Sequence, residues 1–288
     1  MIAVVVLTYD APPGMLDACL RALRERSPVG TSVILVDNGR GARQLDGSTR
    51  ADVDVIETGH NLGFAGGMNV GIRRALATGA DGVFVMNDDV LVQQGWLEPL
   101  VAELGHDPRV GAVQPMLVFP TEPPTVNSMG VHLGRDGAGT DAGMGVLEAD
   151  ARRDAHDIEL FTGGAVLIRA AFLDDVGLFD ERYFMYYEDV DLGLRGQRRG
   201  WRYRCVPSST VVHEGGATVA RSSDRGAYHR ERNRLWILFR YRRLPDIGRG
   251  VWLSVRRLRW PPRLVHARAL LAALAAAPRL LLARRRQV

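Results

Sequence analysis

The sequence contains no lysine, so all 37 basic residues are arginine. We interpret this as the codon preference of a GC-rich genome, without functional meaning. Cysteine is scarce, with only Cys19 and Cys205. Two cysteines cannot form a disulfide framework, and Cys19 falls at an apolar position of a predicted helix. We therefore expect reduced thiols and an intracellular protein.

Long apolar runs are also missing. The run from Ile2 to Leu7 has no basic segment before it and is too short for a signal peptide, so it predicts a buried first strand. The longest C-terminal run, residues 269–277, lies between Arg268 and Pro278. It is predicted to be too short to cross a membrane, although it could lie in a membrane interface.

Charge is divided sharply along the chain. The net charge of the 288 residues is +4, but residues 221–288 contain 18 arginines and only three acidic residues. Residues 1–220 are therefore acidic overall. A basic C-terminal segment predicts contact with an anionic membrane surface or nucleic acid. Its arginines alternate with leucine and alanine more than with stacking aromatics, which favours a membrane, and no nucleic-acid partner is expected.

Apolar periodicity predicts alternating strands and helices over the first hundred residues. This alternation is typical of βαβ units in an α/β fold, with a doubly wound, mostly parallel sheet and helices on both faces. In such sheets ligands bind beyond the carboxyl ends of the strands. Polar residues cluster at three of these ends: Thr8-Tyr9-Asp10, Asp37-Asn38 and Asn87-Asp88-Asp89. Residues 221–288 are predicted to form two or three amphipathic helices, broken at Pro245 and at Pro261-Pro262.

The acids of "MNDDV" directly follow a predicted buried strand. Strand alternation directs the side chains of Asp88 and Asp89 to opposite sides, so one of them faces a given ligand. This position favours a hard divalent cation that bridges to phosphate oxygens, with a turn or helix cap as the alternative. His213 follows a later strand, and it completes a Mn²⁺ or Mg²⁺ site only if it meets these acids in space.

Two glycine-rich segments precede regular elements. "NLGFAGGMNVGI" places Gly63, Gly66 and Gly67 before a predicted helix, where backbone N–H groups can approach phosphate. The segment matches neither a Rossmann nor a P-loop pattern, and a tight turn explains it equally well. In "FTGGAVLIR", Gly163-Gly164 precedes a strand, which predicts either a backbone approach to a sugar or a bulge.

Three carboxylates crowd into "YFMYYEDVDLGLRGQRRGW", residues 183–201. If a helix begins there, Asp191 shares a face with Glu188 and Asp189 points elsewhere. An aromatic collar before them would desolvate a carboxylate and raise its pKa, as a general base requires. Spacing alone does not choose among the three acids. The collar consists of Tyr183, Phe184, Tyr186 and Tyr187.

In this order, the segments resemble glycosyltransferase family 2, the inverting enzymes of GT-A fold, and within it the bacterial rhamnosyltransferase-like members. The resemblance covers most of residues 1–240, and its most specific block is "GLFDERYFMYYEDVDL". It implies a GT-A catalytic domain over residues 1–220. Residues 1–115 would bind the nucleotide sugar, residues 116–220 would hold the acceptor and base region, and residues 221–288 would form a basic helical tail.

The resemblance also implies residue roles. Asp189 would be the catalytic base, supported by Glu188 and Asp191. Asp89 and His213 would bind divalent Mn²⁺ or Mg²⁺, although Asn87 replaces the first acid of the family's D-x-D motif and lowers the charge of the site. The implied nucleotide contacts are Thr8, Tyr9, Asp10, Asp37, Asn61, Gly66, Asn69 and Asp88. The implied sugar or acceptor contacts are Gly163, Gly164, Tyr187, Arg232 and Asn233.

The implied reaction moves a sugar from a nucleotide-diphosphate donor, dTDP-rhamnose or a similar dTDP- or UDP-sugar, to an acceptor hydroxyl. The expected acceptor is a polyprenyl-linked saccharide of cell-wall or polysaccharide biosynthesis, with the enzyme cytoplasmic and its tail resting on the inner face of the cell membrane. The alternative is a small natural-product acceptor, with the tail packed on the body or forming a homodimer. A nucleotidylyltransferase is disfavoured because "LTYDAPPG" lacks a basic residue. The third class is a non-catalytic nucleic-acid-binding protein.

Overall fold

The computed structural model of the chain describes residues 1–12, 14–39, 45, 52–215 and 223–285. The strands are β1 Ile2–Thr8, β2 Ser32–Asp37, β3 Asp54–Glu57, β4 Gly82–Asn87, β5 Val90–Val92, β6 Val110–Phe119, β7 Thr125–Ser128, β8 Val131–Leu133, β9 Gly139–Asp141, β10 His156–Ile158, β11 Ala165–Arg169 and β12 Arg202–His213. The helices are α1 Met15–Arg26, α2 Gly63–Ala77, α3 Leu97–His106, α4 Ala170–Val176, α5 Glu188–Gln197, α6 Asp224–Tyr241, α7 Leu244–Arg257 and α8 Arg263–Arg285.

One mixed sheet forms the centre of the fold, in the order β10-β12-β6-β11-β4-β1-β2-β3, with β5 paired to β12 and β7 to β6. The half made of β3, β2, β1 and β4 is parallel, as the βαβ pattern predicts. In the other half β11 runs antiparallel between β4 and β6, and β12 is parallel to β6. The α/β fold is confirmed, and the sheet is more mixed than the sequence indicates.

Helices cover both faces of the sheet because its central strands are apolar on both sides. Along β1, Val4 and Val6 pack in the cluster that includes helices α1 and α3, while Val5 packs in the cluster that includes α2. Residues of α6, such as Leu235 and Ile237, belong to the same cluster as Val5. The first helix of the basic segment is therefore part of the body's core.

The three C-terminal helices are interrupted near Pro245 and at Pro261-Pro262, as predicted. The last helix differs from the prediction, because it continues through Pro278 and is 23 residues long. By length and composition, Arg263–Arg284 is apolar enough to cross a membrane, and 22% of that window is buried. The prediction that this segment is too short to cross is therefore wrong with respect to its length.

Candidate functional site

Three strands end together at one edge of the sheet. Thr8 of β1 pairs with Asp37 of β2, and Leu7 pairs with Asn87 of β4. Burial raises the pKa of Asp88 to about 6, although the nearby Thr8 hydroxyl and Tyr9 backbone lower it in part. The predicted polar clusters of β1, β2 and β4 therefore share one edge, where a ligand of an α/β sheet binds.

The segment after β1 lies against the segment after β2. Asp10 has a positive φ of 48°, and a Cβ on Gly39 would lie 2.6 Å from its Oδ1. Asp37 is buried and accepts a hydrogen bond from the backbone N–H of Gly39 at 2.9 Å. Tyr9 remains half exposed, so its ring lies open to solvent at this edge.

Asn38 connects this edge to the glycine-rich segment. Its Oδ1 accepts from the Leu62 backbone at 2.8 Å, and its Nδ2 donates to the Gly63 carbonyl at 2.9 Å and to Asn61 Oδ1 at 3.2 Å. Asn61 Oδ1 also accepts from the Gly63 backbone at 2.8 Å. Both amides therefore shape the turn before α2. Gly66 lies within α2, and a Cβ there would lie 2.8 Å from the Leu62 side chain, so this glycine lets Leu62 pack closely against the first turn of the helix.

Asn69 occupies a position different from the predicted nucleotide contact. Its side chain is buried and its Nδ2 donates to the Phe179 carbonyl at 2.8 Å and to Glu181 Oε1 at 2.9 Å. Its Oδ1 accepts from the Phe179 backbone at 3.1 Å. Because these bonds use both ends of the amide, Asn69 joins α2 to the segment before the aromatic collar.

The side chains of Asp89, which follows β4, and His213, the last residue of β12, lie next to each other. The turn after β4 leads into β5, which pairs with β12 so that Val90 lies opposite His213. His213 Nε2 is 3.2 Å from Asp89 Oδ2, and both side chains are buried. His213 Nε2 and Asp89 Oδ1 make no hydrogen bond to any residue that the structure describes. Strand pairing thus brings together two residues that are far apart in sequence.

Asn127 fixes the imidazole, and the sequence analysis did not identify this residue. Its Oδ1 is 2.7 Å from His213 Nδ1. Asn127 lies at a register shift between β6 and β7, where a bulge redirects a side chain. Because the amide oxygen can only accept, Nδ1 donates to it, and Nε2 is the ring nitrogen that faces the Asp89 carboxylate. No local pattern in the sequence indicates this contact.

Two facing acceptors at 3.2 Å require a proton or a cation between them. Carboxylate oxygen and imidazole nitrogen are suitable ligands for Mn²⁺ or Mg²⁺. In the part of the chain that the structure describes, no group of three or more His, Cys, Asp or Glu residues is arranged to hold a metal ion. The pair therefore fits a cation that takes its remaining ligands from a bound molecule and water.

Asp189 contacts the segment that leads into β11. Its Oδ2 accepts from the Gly163 backbone at 2.8 Å, and its Oδ1 accepts from the Val190 backbone at 2.7 Å. Burial raises the pKa of Asp189, and these two hydrogen bonds reduce the rise. The neighbouring Gly164 carbonyl accepts from the Asn87 backbone at 3.1 Å. The Gly163-Gly164 pair therefore joins the strand end that carries Asp88 and Asp89 to the helix that begins with the acids.

Glu188 and Asp191 have different environments, although both are buried. Burial raises the pKa of Glu188 well above its usual range, and the charges of Asp189 and Asp191 add to the rise. Its Oε2 has no hydrogen-bond partner among the described residues. Asp191 instead forms 2.8 Å ion pairs with Arg195 and Arg240. It therefore fixes α5, which carries Asp189, to α6.

The aromatic collar is a strained loop. Phe184, Tyr186 and Tyr187 have positive φ angles of 67°, 65° and 71°. Residues without a glycine's freedom avoid this region, at a cost of roughly 1–3 kcal/mol each. Tyr187 OH accepts from the Gly139 backbone at 3.3 Å, so its hydroxyl contacts β9. Such strain persists only where surrounding contacts enforce it, and it is typical of functional sites.

Arg232 and Asn233 face this loop. Arg232 Nη2 donates to the Tyr183 carbonyl at 2.8 Å, and Asn233 Nδ2 donates to the Tyr186 carbonyl at 2.7 Å. The predicted sugar or acceptor contacts of these two residues are therefore, in this structure, contacts to the backbone of the collar.

The mixed sheet, with helices on both faces and polar residues at its strand ends, is that of a GT-A fold. A family profile described as "Glycosyltransferase like family 2" matches residues 1–237. The match covers far more than half of the chain. The protein therefore belongs to glycosyltransferase family 2.

Curated relatives and solved structures agree with this assignment. The N-acetylglucosaminyl-diphospho-decaprenol L-rhamnosyltransferase of Mycobacterium tuberculosis is 31% identical over 285 residues, covering 91% of this chain and 89% of that protein. The galactofuranosyltransferase GlfT1 of Mycolicibacterium smegmatis is 26% identical, covering 66% of this chain and 63% of that protein. The crystal structure of GalNAc-T7 with UDP, GalNAc and Mn²⁺ superposes with a TM-score of 0.68 at 15% identity, covering 93% of this chain and 54% of that one, which supports the fold alone.

Proposed function

We propose that the protein is an inverting, metal-assisted glycosyltransferase that moves a sugar from a nucleotide-diphosphate donor to a hydroxyl of a polyprenyl-linked saccharide. The observation that carries the proposal is that the Gly163-Gly164 pair before β11 contacts both groups of candidate residues. Asp89 and His213 form a first site, and the Gly164 carbonyl accepts from the backbone of Asn87, two residues before Asp89. Asp189 forms a second site, where it accepts from the Gly163 backbone. The donor diphosphate would lie at the first site and the acceptor hydroxyl at the second.

Asp189 is the proposed base. Its half-buried carboxylate removes the proton from the acceptor hydroxyl, and the oxygen attacks the anomeric carbon as the bond to the diphosphate breaks. A single displacement inverts the anomeric centre. The proton stays on Asp189 until solvent removes it. The raised pKa of Asp189 makes it a stronger base than an exposed aspartate.

Asp89 and His213 are the proposed metal ligands. A bound divalent cation would supply positive charge to the departing diphosphate. The two side chains leave room in its coordination for phosphate oxygens because only two protein ligands meet here among the described residues. Thr8, Asp37, Asp88 and the exposed ring of Tyr9 are the proposed contacts for the base and ribose.

The proposed substrates follow the relatives. The mycobacterial rhamnosyltransferase aligns with 91% of this chain, which supports dTDP-rhamnose as donor and a diphosphate-linked lipid saccharide of the cell wall as acceptor. A small natural-product acceptor is the alternative. It would leave the exposed apolar side chains of the C-terminal helices unexplained.

The outer surface of α7 and α8 is the proposed membrane contact. Trp252 and Trp260 are 56% and 70% exposed, and Leu264 and Leu271 are more than two thirds exposed. The acidic residues of segment 244–285 are limited to Asp246, which pairs with Arg135 at 3.2 Å. Exposed indole and leucine side chains among arginines suit an anionic lipid interface. A homodimer through this face would oppose arginine to arginine, which disfavours it.

A panel of dTDP-, UDP- and GDP-sugars tests the function, with thermal shift and donor hydrolysis measured with Mn²⁺, with Mg²⁺ and with EDTA. We expect stabilisation and hydrolysis with one donor in the presence of metal. Asp189→Asn should lower kcat at least about 100-fold while leaving the nucleoside diphosphate bound. A wild-type protein that responds to no member of the panel would refute the proposal, and wild-type turnover by Asp189→Asn would refute the assignment of the base.

A further inference from the structure

The strained collar is held from one side by two neighbouring residues of α6. Asn233 Nδ2 donates to three carbonyls of the loop, those of Tyr183 at 3.0 Å, Met185 at 2.9 Å and Tyr186 at 2.7 Å. Asn233 is completely buried. An amide group has two donor hydrogens, so three converging carbonyls use its donor capacity fully.

Arg232 supports the same loop and also orients the amide of Asn233. Its Nη2 donates to the carbonyls of Arg182 at 3.1 Å and Tyr183 at 2.8 Å. Its Nε donates to Asn233 Oδ1 at 2.8 Å, which directs the Nδ2 group of Asn233 to the loop. The Trp236 ring lies 4.4 Å below the guanidinium and limits its movement.

The loop connects the two halves of the proposed site. The Phe184 carbonyl accepts from the Ala65 backbone at 3.2 Å, and a Cβ on Gly63 would lie 2.3 Å from that oxygen. At its other end, Tyr187 precedes Glu188, the first residue of α5, and its carbonyl accepts from the Asp191 backbone at 2.9 Å. The position of the loop therefore sets the start of α2 and the start of α5 together.

We propose that Arg232 and Asn233 are positioning residues, which act through the collar to place the Asp189 carboxylate relative to the donor-side turn at Gly63. This inference rests on the proposed function of Asp189. The strained φ angles supply its physical reason: without donors to its carbonyls, the loop relaxes to a more favourable backbone conformation and α5 begins in a different place. Arg232 and Asn233 lie in residues 221–288, the basic segment that was predicted to form a helical tail.

Asn233→Asp is the sharpest test. It keeps the shape of the side chain and the oxygen that accepts from Arg232. It replaces the donating Nδ2 group with an oxygen that faces the three carbonyls of the loop. Arg232→Lys keeps the charge and removes the Nε donor. Ser254→Ala is the matched control. It removes a buried hydroxyl that accepts from Arg234 of α6 at 2.7 Å and does not contact the collar.

The first measurement is hydrogen exchange of the peptide that spans residues 183–191, which needs no substrate. We expect about tenfold faster exchange in Asn233→Asp and in Arg232→Lys, and no change in Ser254→Ala. Unchanged exchange in both collar variants would overturn the proposed restraint, whatever the protein catalyses.

The second measurement separates kcat from donor affinity with the donor that the wild type uses. A displacement of about 1 Å costs roughly 100-fold in rate. We expect a fall of that size in kcat for Asn233→Asp, a smaller fall for Arg232→Lys, and a nucleoside-diphosphate Kd close to that of the wild type. If exchange rises but kcat is unchanged, or if Ser254→Ala loses kcat equally, the pair does not position Asp189. A wild type without turnover refutes the proposed function instead.

Discussion

Asp191 Oδ1 accepts a hydrogen bond from Arg240 Nη1 at 2.8 Å, with the Asp191 side chain inaccessible and that of Arg240 8% exposed. Asp191 lies in the first turn of α5, two residues after the proposed base, and Arg240 lies in the last turn of α6. The Tyr241 hydroxyl donates to the same oxygen at 2.7 Å. The third acid of the cluster therefore fixes the helix that carries the base.

Removal of this carboxylate should cost stability more than turnover. Asp191→Ala leaves buried Arg240 with only the longer 3.3 Å contact to Asp180, and breaking a buried ion pair costs about 3–5 kcal/mol. We expect a loss of that size in urea unfolding, with kcat per folded molecule changed only a few-fold. Asp52→Asn is the control, because the exposed Asp52–Arg24 pair is worth less than about 1 kcal/mol. A stable Asp191→Ala protein with a 100-fold lower kcat would contradict a role in stability alone.

The proposed metal site predicts losses of Mn²⁺ binding that differ in size among variants of Asp89, His213 and Asn127. Asp89→Ala and His213→Ala should abolish the tightening of nucleoside-diphosphate binding by Mn²⁺, measured by calorimetry. Asn127→Leu should weaken Mn²⁺ affinity about 10- to 100-fold because the imidazole loses the acceptor that fixes its tautomer. His132→Ala changes an exposed histidine elsewhere and should have no effect. The same metal dependence in His213→Ala as in the wild type would contradict the assignment.

Local sequence patterns predicted the parallel half of the sheet, because each of its strands is a short apolar run followed by polar residues. They did not predict that β11 lies antiparallel between β4 and β6, which depends on pairing between distant segments. The same limit applies to the site. The sequence analysis considered a helix that begins at Glu188, and the structure has it, but the separate environments of Glu188, Asp189 and Asp191 depend on Gly163 and Arg240. Asn127 carries no local signal at all.

Glu188 should lower stability at neutral pH. Its pKa is raised by burial, so between its unfolded pKa of about 4.3 and its higher folded pKa the folded state holds the extra proton. Stability therefore falls as pH rises through that interval, by about 1.4 kcal/mol per unit. Glu188→Gln removes this loss and should be more stable than the wild type at pH 7.

The difference in unfolding free energy between Glu188→Gln and the wild type should shrink as pH falls towards 4, where Glu188 is protonated in both the folded and the unfolded state. Thermal unfolding from pH 4 to pH 8 measures it. Asp52→Asn, at an exposed position, should show no comparable trend. A stability gain that is independent of pH would mean that packing, rather than ionisation, separates Glu188→Gln from the wild type.

The Asp189 assignment predicts the acid limb of the pH–rate profile. The base must be ionised to accept a proton, and burial raises the pKa of Asp189 above 3.8. We therefore expect kcat/KM to fall as pH decreases through a value above 3.8, with donor binding retained. Asp189→Asn should lose about 10²- to 10⁴-fold in kcat and should lack this limb. An identical limb in the residual activity of Asp189→Asn would assign the titration to another group.

The exposed face of α7 and α8 predicts selective binding to anionic vesicles. Arg256 lies 4.7 Å from the centre of the Trp252 ring, so a basic group and an indole are presented together. Burying an aromatic side chain contributes about 1.5–3 kcal/mol, and each arginine near an anionic surface contributes about 1 kcal/mol.

In co-sedimentation with phosphatidylglycerol vesicles, Trp252→Ala combined with Trp260→Ala should reduce binding at least tenfold. Arg249→Gln combined with Arg256→Gln should weaken binding at low salt and reduce its salt dependence. Val29→Ser, which changes an exposed apolar residue of the body, should bind like the wild type. Equal binding to neutral vesicles, preferential binding to DNA, or dimerisation that the tryptophan variants abolish would each contradict an anionic-membrane contact.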